Sequence, residues 1–362
     1  MNNSTILDSL FQNGRINLHR GKIFDYTFLP KPTEFSFNKI EGMLLGVAIG
    51  DSLGNSTESM LPPKRKSIYG EITDYLPRSF SHEIRGFPSD DTQLTFWTLE
   101  ELLLKDRLFP QDLAARFTQG KIFGIGSTVR EFISNVKSGK TWERCGPNSA
   151  GNGALMRISP LVIPYLRTGG GGVMVDTALC AMITHNNSLS LSVCLLLNYL
   201  IWQLLDMNTN PDPEWWLSQI DHVKDLMTGS NYRPRGGECV GLEVSPWDFI
   251  QERIRAAVYE NLTTLEACSK WWSGAYLLET IPCVLYILIR HGHDPEESIT
   301  RAVNDTKDND TIASIVGALV GALHGKDALP KKWIDGLTGR TRFDDDGKIF
   351  ELIRMSKEKW WY

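Results

Sequence analysis

The amino-acid sequence predicts an all-α protein, and two observations support this fold class. Apolar residues recur at helical spacing through most of the 362 residues. After position 308, for example, Ile312, Ile315, Val316 and Leu319 follow steps of three and one, and so form one buried stripe. Segments with the alternating pattern of a strand are few. The chain shows no internal repeat and no clear interdomain linker, so we expect one helical body.

The predicted helices follow one another along the chain. The first begins near Ile40, where Met43 and Val47 share a face and Gly46 allows another helix to approach closely. Further helices are expected near residues 91–105, 125–137, 173–183, 188–206, 213–227, 274–291, 294–305, 308–325 and 348–361, and another from residue 158. The apolar stretch 188–205 is interrupted by serine, asparagine and glutamine, which indicates a core helix rather than a membrane span.

Three segments are expected to be irregular. Residues 1–38 mix aromatic, aliphatic and basic side chains, and Pro30 and Pro32 stop any helix at their end. Residues 229–247 contain several glycines and prolines and are typical of a long surface loop. Four consecutive glycines at 169–172 indicate a further flexible connection.

Composition limits the classes of function. Charged residues make up 22% of the chain, and 38 basic against 43 acidic residues give a net charge of −5, which argues against binding along a nucleic-acid backbone. The first residues lack the basic and apolar regions of a secretion signal. Six cysteines are scattered without a CxxC pair, as is typical of a reducing compartment. We therefore expect a cytoplasmic protein with no membrane partner.

Acidic and hydroxyl side chains cluster where predicted helices begin or end. The clusters are Asp51-Ser52-Leu53-Gly54 with Glu58, Ser89-Asp90-Asp91-Thr92, and Asp308-Asn309-Asp310-Thr311. For each of the last two alone, helix capping is the simpler interpretation, because Ser, Thr and Asp are preferred N-caps and acids suit a first helical turn. Capping, however, needs only one side chain at each helix start. Carboxylates this close repel one another unless a positive charge lies between them.

Divalent cations would supply that charge. Mg²⁺ and Mn²⁺ prefer oxygen ligands from carboxylates, hydroxyls and water. The sequence contains neither a Cys/His cluster at zinc spacing nor an EF-hand loop. If the two helix starts meet across a cleft, the sequence predicts a two-metal site and metal-assisted hydrolysis.

A glycine turn and a histidine complete the candidate residues. The turn Gly151-Asn152-Gly153-Ala154-Leu155-Met156-Arg157 precedes a predicted helix, where backbone N–H groups can approach a phosphate. An ordinary turn is the commoner interpretation, and the spacing matches neither a dinucleotide-binding fingerprint nor a P-loop. His185, in Thr184-His185-Asn186, lies at another helix junction. A Gly-x-Ser-x-Gly elbow is absent, which argues against a serine hydrolase.

Taken in order, these motifs resemble those of the ADP-ribosylglycohydrolase family. The resemblance runs from about Ile40 to about Gly325. It consists of residues 46–54 (GVAIGDSLG) with Glu58, then 89–93 (SDDTQ), 151–157 (GNGALMR), Thr184-His185, 273–276 (SGAY) with Glu279, and 308–311 (DNDT) leading into 317–319 (GAL). Each motif alone is common, but six in one order are specific.

The resemblance implies a fold, a metal centre and a substrate pocket. The fold is a single orthogonal helical domain over residues 39–362, preceded by an irregular N-terminal extension, residues 1–38. Two Mg²⁺ or Mn²⁺ ions would be held by Glu58, Ser89, Asp90, Asp91, Asp308, Asp310 and Thr311. ADP-ribose would lie against Gly151, Asn152, Gly153 and Met156, with His185 near its phosphates and Tyr276 packed on the substrate.

The chain departs from the family pattern at two places. Ser89 stands where the family usually has threonine, and it keeps the hydroxyl ligand. Lys307 and Asn309 replace the glycine and threonine of the usual G-D-T-D-T. Because lysines rarely bury, Lys307 is expected to point to solvent rather than to add charge beside the site.

The implied activity is metal-dependent hydrolysis of the bond between ADP-ribose and a protein side chain, most often arginine. The leaving group needs a proton, and both Glu58 and Asp90 are candidates to move it. The motifs do not select among arginine, serine, O-acetyl-ADP-ribose or nucleic acid as the modified group. Specificity is expected in the 229–247 loop, with the N-terminal arm, residues 1–38, as a second candidate. A non-catalytic ADP-ribose-binding protein is an alternative, against which the retained acids argue.

The extension, residues 1–38, has two interpretations. Its aromatic and basic residues are typical of a binding surface, which would suit an immunity protein that reverses the action of an ADP-ribosyltransferase toxin and also blocks it, or that only blocks it. The other interpretation is an arm packed on its own domain, because apolar residues in an extension need burial.

Overall fold

The structure is a computed structural model that describes residues 2–77, 84–227 and 229–362. Within these ranges the regular structure is helical, and β-structure is confined to isolated bridges, so the all-α prediction is confirmed. No helix in the described ranges has the length and apolar character needed to span a membrane. All six cysteines are buried and free of disulfides.

The α-helices are numbered in chain order. They are α1 (Asn3–Gln12), α2 (Asn38–Asn55), α3 (Pro62–Tyr69), α4 (Asp90–Lys105), α5 (Pro110–Arg116), α6 (Ser127–Lys137), α7 (Gly172–Met182), α8 (Ser188–Leu204), α9 (Pro213–Ser218), α10 (Pro246–Tyr259), α11 (Thr264–Lys270), α12 (Leu277–His291), α13 (Pro295–Asp305), α14 (Asn309–His324), α15 (Lys331–Gly336) and α16 (Lys348–Trp360). Short 3-10 turns connect several of them.

The predicted helices with strong apolar periodicity are confirmed, and the differences have local causes. The segment expected at 213–227 is α9 followed by 3-10 turns. The helix expected from residue 158 is a 3-10 helix over Ser159–Tyr165, because Pro164 lies inside it and lacks the N–H group that an α-helix would need there. The helices absent from the prediction are α1, α3, α5, α10, α11 and α15, most of which are short or largely polar.

Helices α2 and α14 form the centre of the fold by crossing with their backbones in contact. Along α2, glycines recur every four residues at positions 42, 46, 50 and 54, and they face α14. A Cβ atom on Gly46 would lie 2.0 Å from the carbonyl oxygen of Gly317, and one on Gly50 would lie 2.1 Å from that of Ala313. Because no side chain fits between the helices, this crossing fixes the end of α2 against the start of α14.

The N-terminal extension packs on its own domain. It begins with helix α1, so it is not irregular throughout, and Leu7 and Leu10 of this helix are buried. Phe24 and Phe28 are buried too, and the Lys31 ammonium donates to the carbonyl of Trp202. The aromatic residues that suggested a partner surface are therefore largely used within the chain.

A buried carboxylate anchors α1, and its titration is expected to affect stability. Asn3 Nδ2 and the Tyr165 hydroxyl donate to the two Asp176 oxygens at 2.6 and 2.7 Å. Burial raises the pKa of Asp176 from 3.8 to about 6. Between these values the folded state keeps a proton that the unfolded chain releases. The free energy of unfolding of the wild type, relative to the Asp176→Asn variant, should therefore fall by about 2–3 kcal/mol as pH rises from about 4 to about 6, and then level off.

Denaturant titrations of both proteins at a series of pH values measure this difference. The expected curve is a step that ends near pH 6. A difference that stays constant from pH 4 to pH 8 would show that Asp176 titrates normally in the folded protein.

Candidate functional site

Three helix ends bring the predicted acidic residues together. The end of α2 supplies Asp51, with Glu58 in the turn that follows, while the starts of α4 and α14 supply the others. The carboxylate oxygens form two sets, each within 4.8 Å: Asp51, Asp91 and Asp310 in one set, and Glu58, Asp308 and Asp310 in the other. Asp310 belongs to both. We call these five residues the acidic cluster.

The close crossing of α2 and α14 explains why the cluster forms. A Cβ atom on Gly54 would lie 2.4 Å from Cα of Asp310, so the last turn of α2 lies directly against the first turn of α14. The side chains of Asp310 and Thr311 are buried there. The sequence motifs at residues 51 and 308 therefore meet because the last of the four α2 glycines, Gly54, lets the end of α2 touch the start of α14.

Asp51 is the member of the cluster that the predicted ligand set left out. Its carboxylate accepts the backbone N–H of Ser89 at 2.9 and 3.0 Å and that of Thr92 at 3.0 Å, and the Thr92 hydroxyl also donates to it. Asp51 thus holds the first turn of α4 against α2. The sequence marked Asp51 only as part of the 46–54 motif. Its role could not be read from the sequence, because the backbone groups that it binds lie about forty positions away in the chain.

The remaining predicted ligands surround the cluster. Ser89 caps α4 by accepting the backbone N–H of Asp91, and the Thr311 hydroxyl donates to Asp91 Oδ1 at 3.3 Å. Asp90 lies outside both acidic sets, with its carboxylate against Gly124, whose Cβ would be 3.1 Å from Asp90 Oδ1. Glu58 is the cluster residue that reaches solvent.

The electrostatics of the cluster are unfavourable without added positive charge. Burial and the neighbouring carboxylates raise the pKa of Asp91 and Asp310 well above the usual aspartate range, and burial raises the pKa of Asp308 to about 6. Burial and Asp51 likewise raise the pKa of Asp90. Burial also raises the pKa of Glu58 and of Asp51. Metal binding, which requires ionised carboxylates, would reverse these shifts.

Among the described residues, a buried arginine near the acidic cluster forms no ion pair with it. Arg65 is fully buried, and its guanidinium donates to the backbone carbonyls of Thr57, Met60, Val303, Asn304 and Thr306. It ties α3 to the chain before Asp308 and so helps to hold the α14 start. Its hydrogen-bond donors are directed at backbone rather than at the acidic cluster.

The donor set fits a hard divalent cation. Asp91 Oδ2 is buried and has no hydrogen-bond partner among the described residues, so this oxygen is left with a free lone pair in the cluster. All the candidate ligand atoms are oxygens, which suits Mg²⁺ or Mn²⁺ and not a soft metal.

The glycine turn lies beside the acidic cluster. Asn152 Nδ2 donates to Asp308 Oδ2 at 2.6 Å, and the backbone of Gly151 pairs with that of Tyr276 in an antiparallel bridge. Gly153 faces the ring of His185, since a Cβ there would lie 3.0 Å from His185 Cε1. Met156 is buried behind the turn. The structure thus places the predicted pocket residues next to the predicted metal ligands.

Two residues that were not among the predicted site residues support Tyr276. The Arg235 guanidinium lies 4.2 Å from the centre of the Tyr276 ring, and the Arg235 backbone N–H donates to the buried carboxylate of Glu279. Arg235 belongs to the 229–247 loop, so this loop reaches the pocket. Glu279 was part of the quoted motif, but its partner is 44 positions away in the chain.

Lys307 is oriented differently from the sequence expectation. Its side chain is half-buried, and its ammonium lies 4.2 Å from the centre of the Trp272 ring instead of pointing freely to solvent. The Lys307 backbone N–H donates to Ser273 Oγ at 3.1 Å. The apolar stem and the aromatic face together explain the burial, as lysine stems pack well on rings.

The family model for ADP-ribosylglycohydrolases matches residues 32–359. The chain belongs to the ADP-ribosylglycohydrolase family. It is therefore a hydrolase of this type, and the matched region starts within the extension defined above.

Individual proteins agree with the family assignment. The human ADP-ribosylhydrolase ARH3 is 25% identical over 339 residues, which cover 85% of this chain and 92% of that protein. The ADP-ribosylarginine hydrolase Tri1 of Serratia proteamaculans is 24% identical over 340 residues, or 91% of this chain and 82% of that protein. A solved structure described as an ADP-ribosylglycohydrolase-related protein complex superposes with a TM-score of 0.64 at 24% identity, over 88% of this chain and 98% of the other, and confirms the fold.

Proposed function

We propose that this ADP-ribosylglycohydrolase removes ADP-ribose from modified arginine side chains of proteins. The observation that carries the proposal is the acidic cluster, in which Asp310 is shared by two sets of carboxylates directly beside the Gly151–Gly153 turn. Arginine is favoured as the modified residue because the similar Tri1 protein is named an ADP-ribosylarginine hydrolase.

The proposed cofactors are two Mg²⁺ or Mn²⁺ ions. Residues that would hold them are Glu58, Ser89, Asp90, Asp91, Asp308, Asp310 and Thr311, to which the geometry adds Asp51. Bound divalent ions supply Lewis-acid stabilisation and orientation of oxygen ligands. Asn152 would keep the Asp308 carboxylate oriented through its short hydrogen bond.

The pocket residues are proposed to bind and orient ADP-ribose. The turn formed by Gly151, Asn152 and Gly153 presents its backbone to the ligand, with Met156 behind it and His185 near the phosphates. Tyr276 would pack on the substrate, and Arg235 keeps that ring in place from the 229–247 loop.

Glu58 is the proposed proton carrier for the leaving group. It is the one member of the acidic cluster that reaches solvent, so its carboxyl can exchange a proton with water beside the substrate. Asp90 is the alternative, but its carboxylate lies outside both acidic sets and faces Gly124.

The Glu58→Gln variant is expected to lower kcat by about 10²-fold or more, because glutamine cannot transfer the proton. Release of ADP-ribose under saturating substrate and Mg²⁺ measures the effect. Glu252→Gln, at an exposed position on α10, is the matched control and should leave kcat unchanged. A Glu58→Gln enzyme with wild-type kcat, together with an inactive Asp90→Asn enzyme, would move the role to Asp90.

One assay tests the substrate proposal. The protein is incubated with arginine-ADP-ribosylated and serine-ADP-ribosylated proteins, with Mg²⁺ or with EDTA, and free ADP-ribose is separated by chromatography. We expect release from the arginine-linked substrate in Mg²⁺ and none in EDTA. Release from the serine-linked substrate alone would replace arginine by serine, and release unaffected by EDTA would refute the metal proposal.

If this protein confers immunity, we propose that it does so by removing ADP-ribose from its targets rather than by blocking the transferase. Residues 1–38 bury most of the apolar side chains that suggested insertion into an ADP-ribosyltransferase toxin. We therefore favour an enzyme that reverses ADP-ribosylation over a purely transferase-blocking or non-catalytic ADP-ribose-binding protein. Protection of cells from such a transferase by the wild type, and its loss in the Asp310→Asn variant, would support this choice.

A further inference from the structure

Two side chains hold the ring of His185 from behind. Arg157 Nη2 donates to Thr184 Oγ1 at 2.8 Å, and Thr184 Oγ1 lies 2.9 Å from His185 Nδ1. Because a guanidinium has no acceptor, the Thr184 oxygen must be the acceptor in the first bond. Among the described residues, His185 Nδ1 is the acceptor available to the Thr184 hydroxyl hydrogen, so the hydroxyl donates to it.

This direction of hydrogen bonding determines where the histidine carries its proton. Burial and the nearby charge of Arg157 lower the pKa of His185 to about 3, so the ring is neutral at physiological pH. A neutral imidazole has a single N–H group. With Nδ1 acting as an acceptor, that hydrogen is on Nε2.

The Nε2–H group faces the glycine turn. A Cβ atom on Gly153 would lie 3.3 Å from His185 Nε2, and one on Gly151 would lie 3.5 Å from it. The ring is 2% exposed, and in the part of the chain that the structure describes Nε2 makes no hydrogen bond, whereas Nδ1 has Thr184 as its partner. The Nε2–H group is therefore left available to donate to a ligand or a water in the pocket.

Arg157 brings a buried positive charge to the same place. It is fully buried, donates to the Cys180 sulfur at 3.0 Å and to the Cys180 carbonyl at 3.1 Å, and forms no ion pair with a described carboxylate. Its guanidinium also lies 4.7 Å from the centre of the Phe117 ring. An uncompensated cation behind a hydrogen-bond donor favours an anionic ligand in front of it.

We propose that Arg157 and Thr184 are positioning residues that lock His185 as its Nε2–H tautomer, so that it donates one fixed hydrogen bond to an anionic phosphate oxygen of the ligand. The inference rests on the proposed function, because it takes ADP-ribose as the ligand of this pocket. It assigns roles to a buried arginine and a threonine that do not touch the substrate.

The Thr184→Val variant tests the lock, with Thr184→Ser as the control that keeps the hydroxyl. Histidine ¹⁵N NMR of the full chain, with the His185 signals identified by their loss in His185→Gln, should show a protonated Nε2 and an unprotonated Nδ1 in the wild type and in Thr184→Ser. Thr184→Val should show a mixture of tautomers. Its affinity for ADP-ribose should fall by the inverse of the fraction that keeps the Nε2–H tautomer, about twofold for an equal mixture, while its Mn²⁺ affinity stays unchanged.

Different results test the fixed tautomer of His185 and the proposed function. If the wild type binds ADP-ribose and Thr184→Val has the same tautomer and affinity, the lock is wrong. If the wild type does not bind ADP-ribose, the proposed function fails, while the NMR pattern still decides the tautomer. If Thr184→Val does not fold, His185→Gln, which keeps an N–H at the Nε2 position, should bind ADP-ribose more tightly than His185→Leu. Equal affinities of these two variants would overturn the proposal.

Discussion

Replacing Asp310 by asparagine is expected to reduce turnover of an ADP-ribosylated protein by about 10⁴-fold. Asp310 is the one carboxylate that belongs to both acidic sets, so the substitution weakens both proposed metal positions at once. Loss of metal-based stabilisation of several kcal/mol corresponds to a rate loss of this size. Turnover at saturating Mg²⁺ and Mn²⁺ affinity by calorimetry measure the two effects.

Asparagine at position 310 has nearly the same shape as aspartate, so the fold should survive the change. The variant is expected to be at least as resistant to heat as the metal-free wild type, because one of several repelling buried carboxylates has gone. Asp335→Asn, at an exposed position on α15, is the control that changes the same charge away from the cluster. An Asp310→Asn enzyme with more than a tenth of wild-type turnover would contradict the shared role of this residue.

Gly46→Ala is expected to destabilise the protein by about 3 kcal/mol, with a fall in Tm of about 4 °C for a chain of this length. The new Cβ would lie 2.0 Å from the carbonyl oxygen of Gly317, which is backbone and cannot rotate away. Helices α2 and α14 must therefore move apart, although alanine is the better helix former. Thermal unfolding followed by circular dichroism measures the change.

Gly126→Ala is the matched control for Gly46→Ala. Gly126 has an ordinary backbone φ of −68°, and a Cβ atom there would meet no atom within 4 Å. The Tm of Gly126→Ala should stay within about 1 °C of the wild type, as expected for a surface change in a chain of this length. Equal Tm values for the two variants would show that the α2–α14 crossing does not depend on the glycines of α2 that face α14.

The sequence predicted the fold where local patterns were strong. The apolar stripes of α8, α12 and α14 identified buried helices, since a one-sided or fully apolar stretch of this length is rarely anything else. Helix α1 was missed although Ile6, Leu7, Leu10 and Phe11 recur at helical spacing, because the helix is short and these residues find their burial only against distant elements. Its anchor, Asp176, lies 173 positions away in the chain from Asn3.

The candidate site was predictable in its residues but not in its connections. Acids crowded at helix starts, as at Asp90 and Asp310, identified candidate ligands because capping alone does not need them. The hydrogen bonds that orient them were not visible in the sequence. Asp51 holds the start of α4, and Arg65 holds the chain before α14, through backbone groups that no side-chain pattern reveals.

The central claim is that the acidic cluster binds divalent ions. Crystals of the protein soaked in Mn²⁺ and measured at a wavelength where manganese scatters anomalously test it most directly. We expect anomalous peaks in contact with Asp310, one on the side of Asp91 and one on the side of Glu58 and Asp308. A map at saturating Mn²⁺ with no peak within 3 Å of these carboxylates would contradict it.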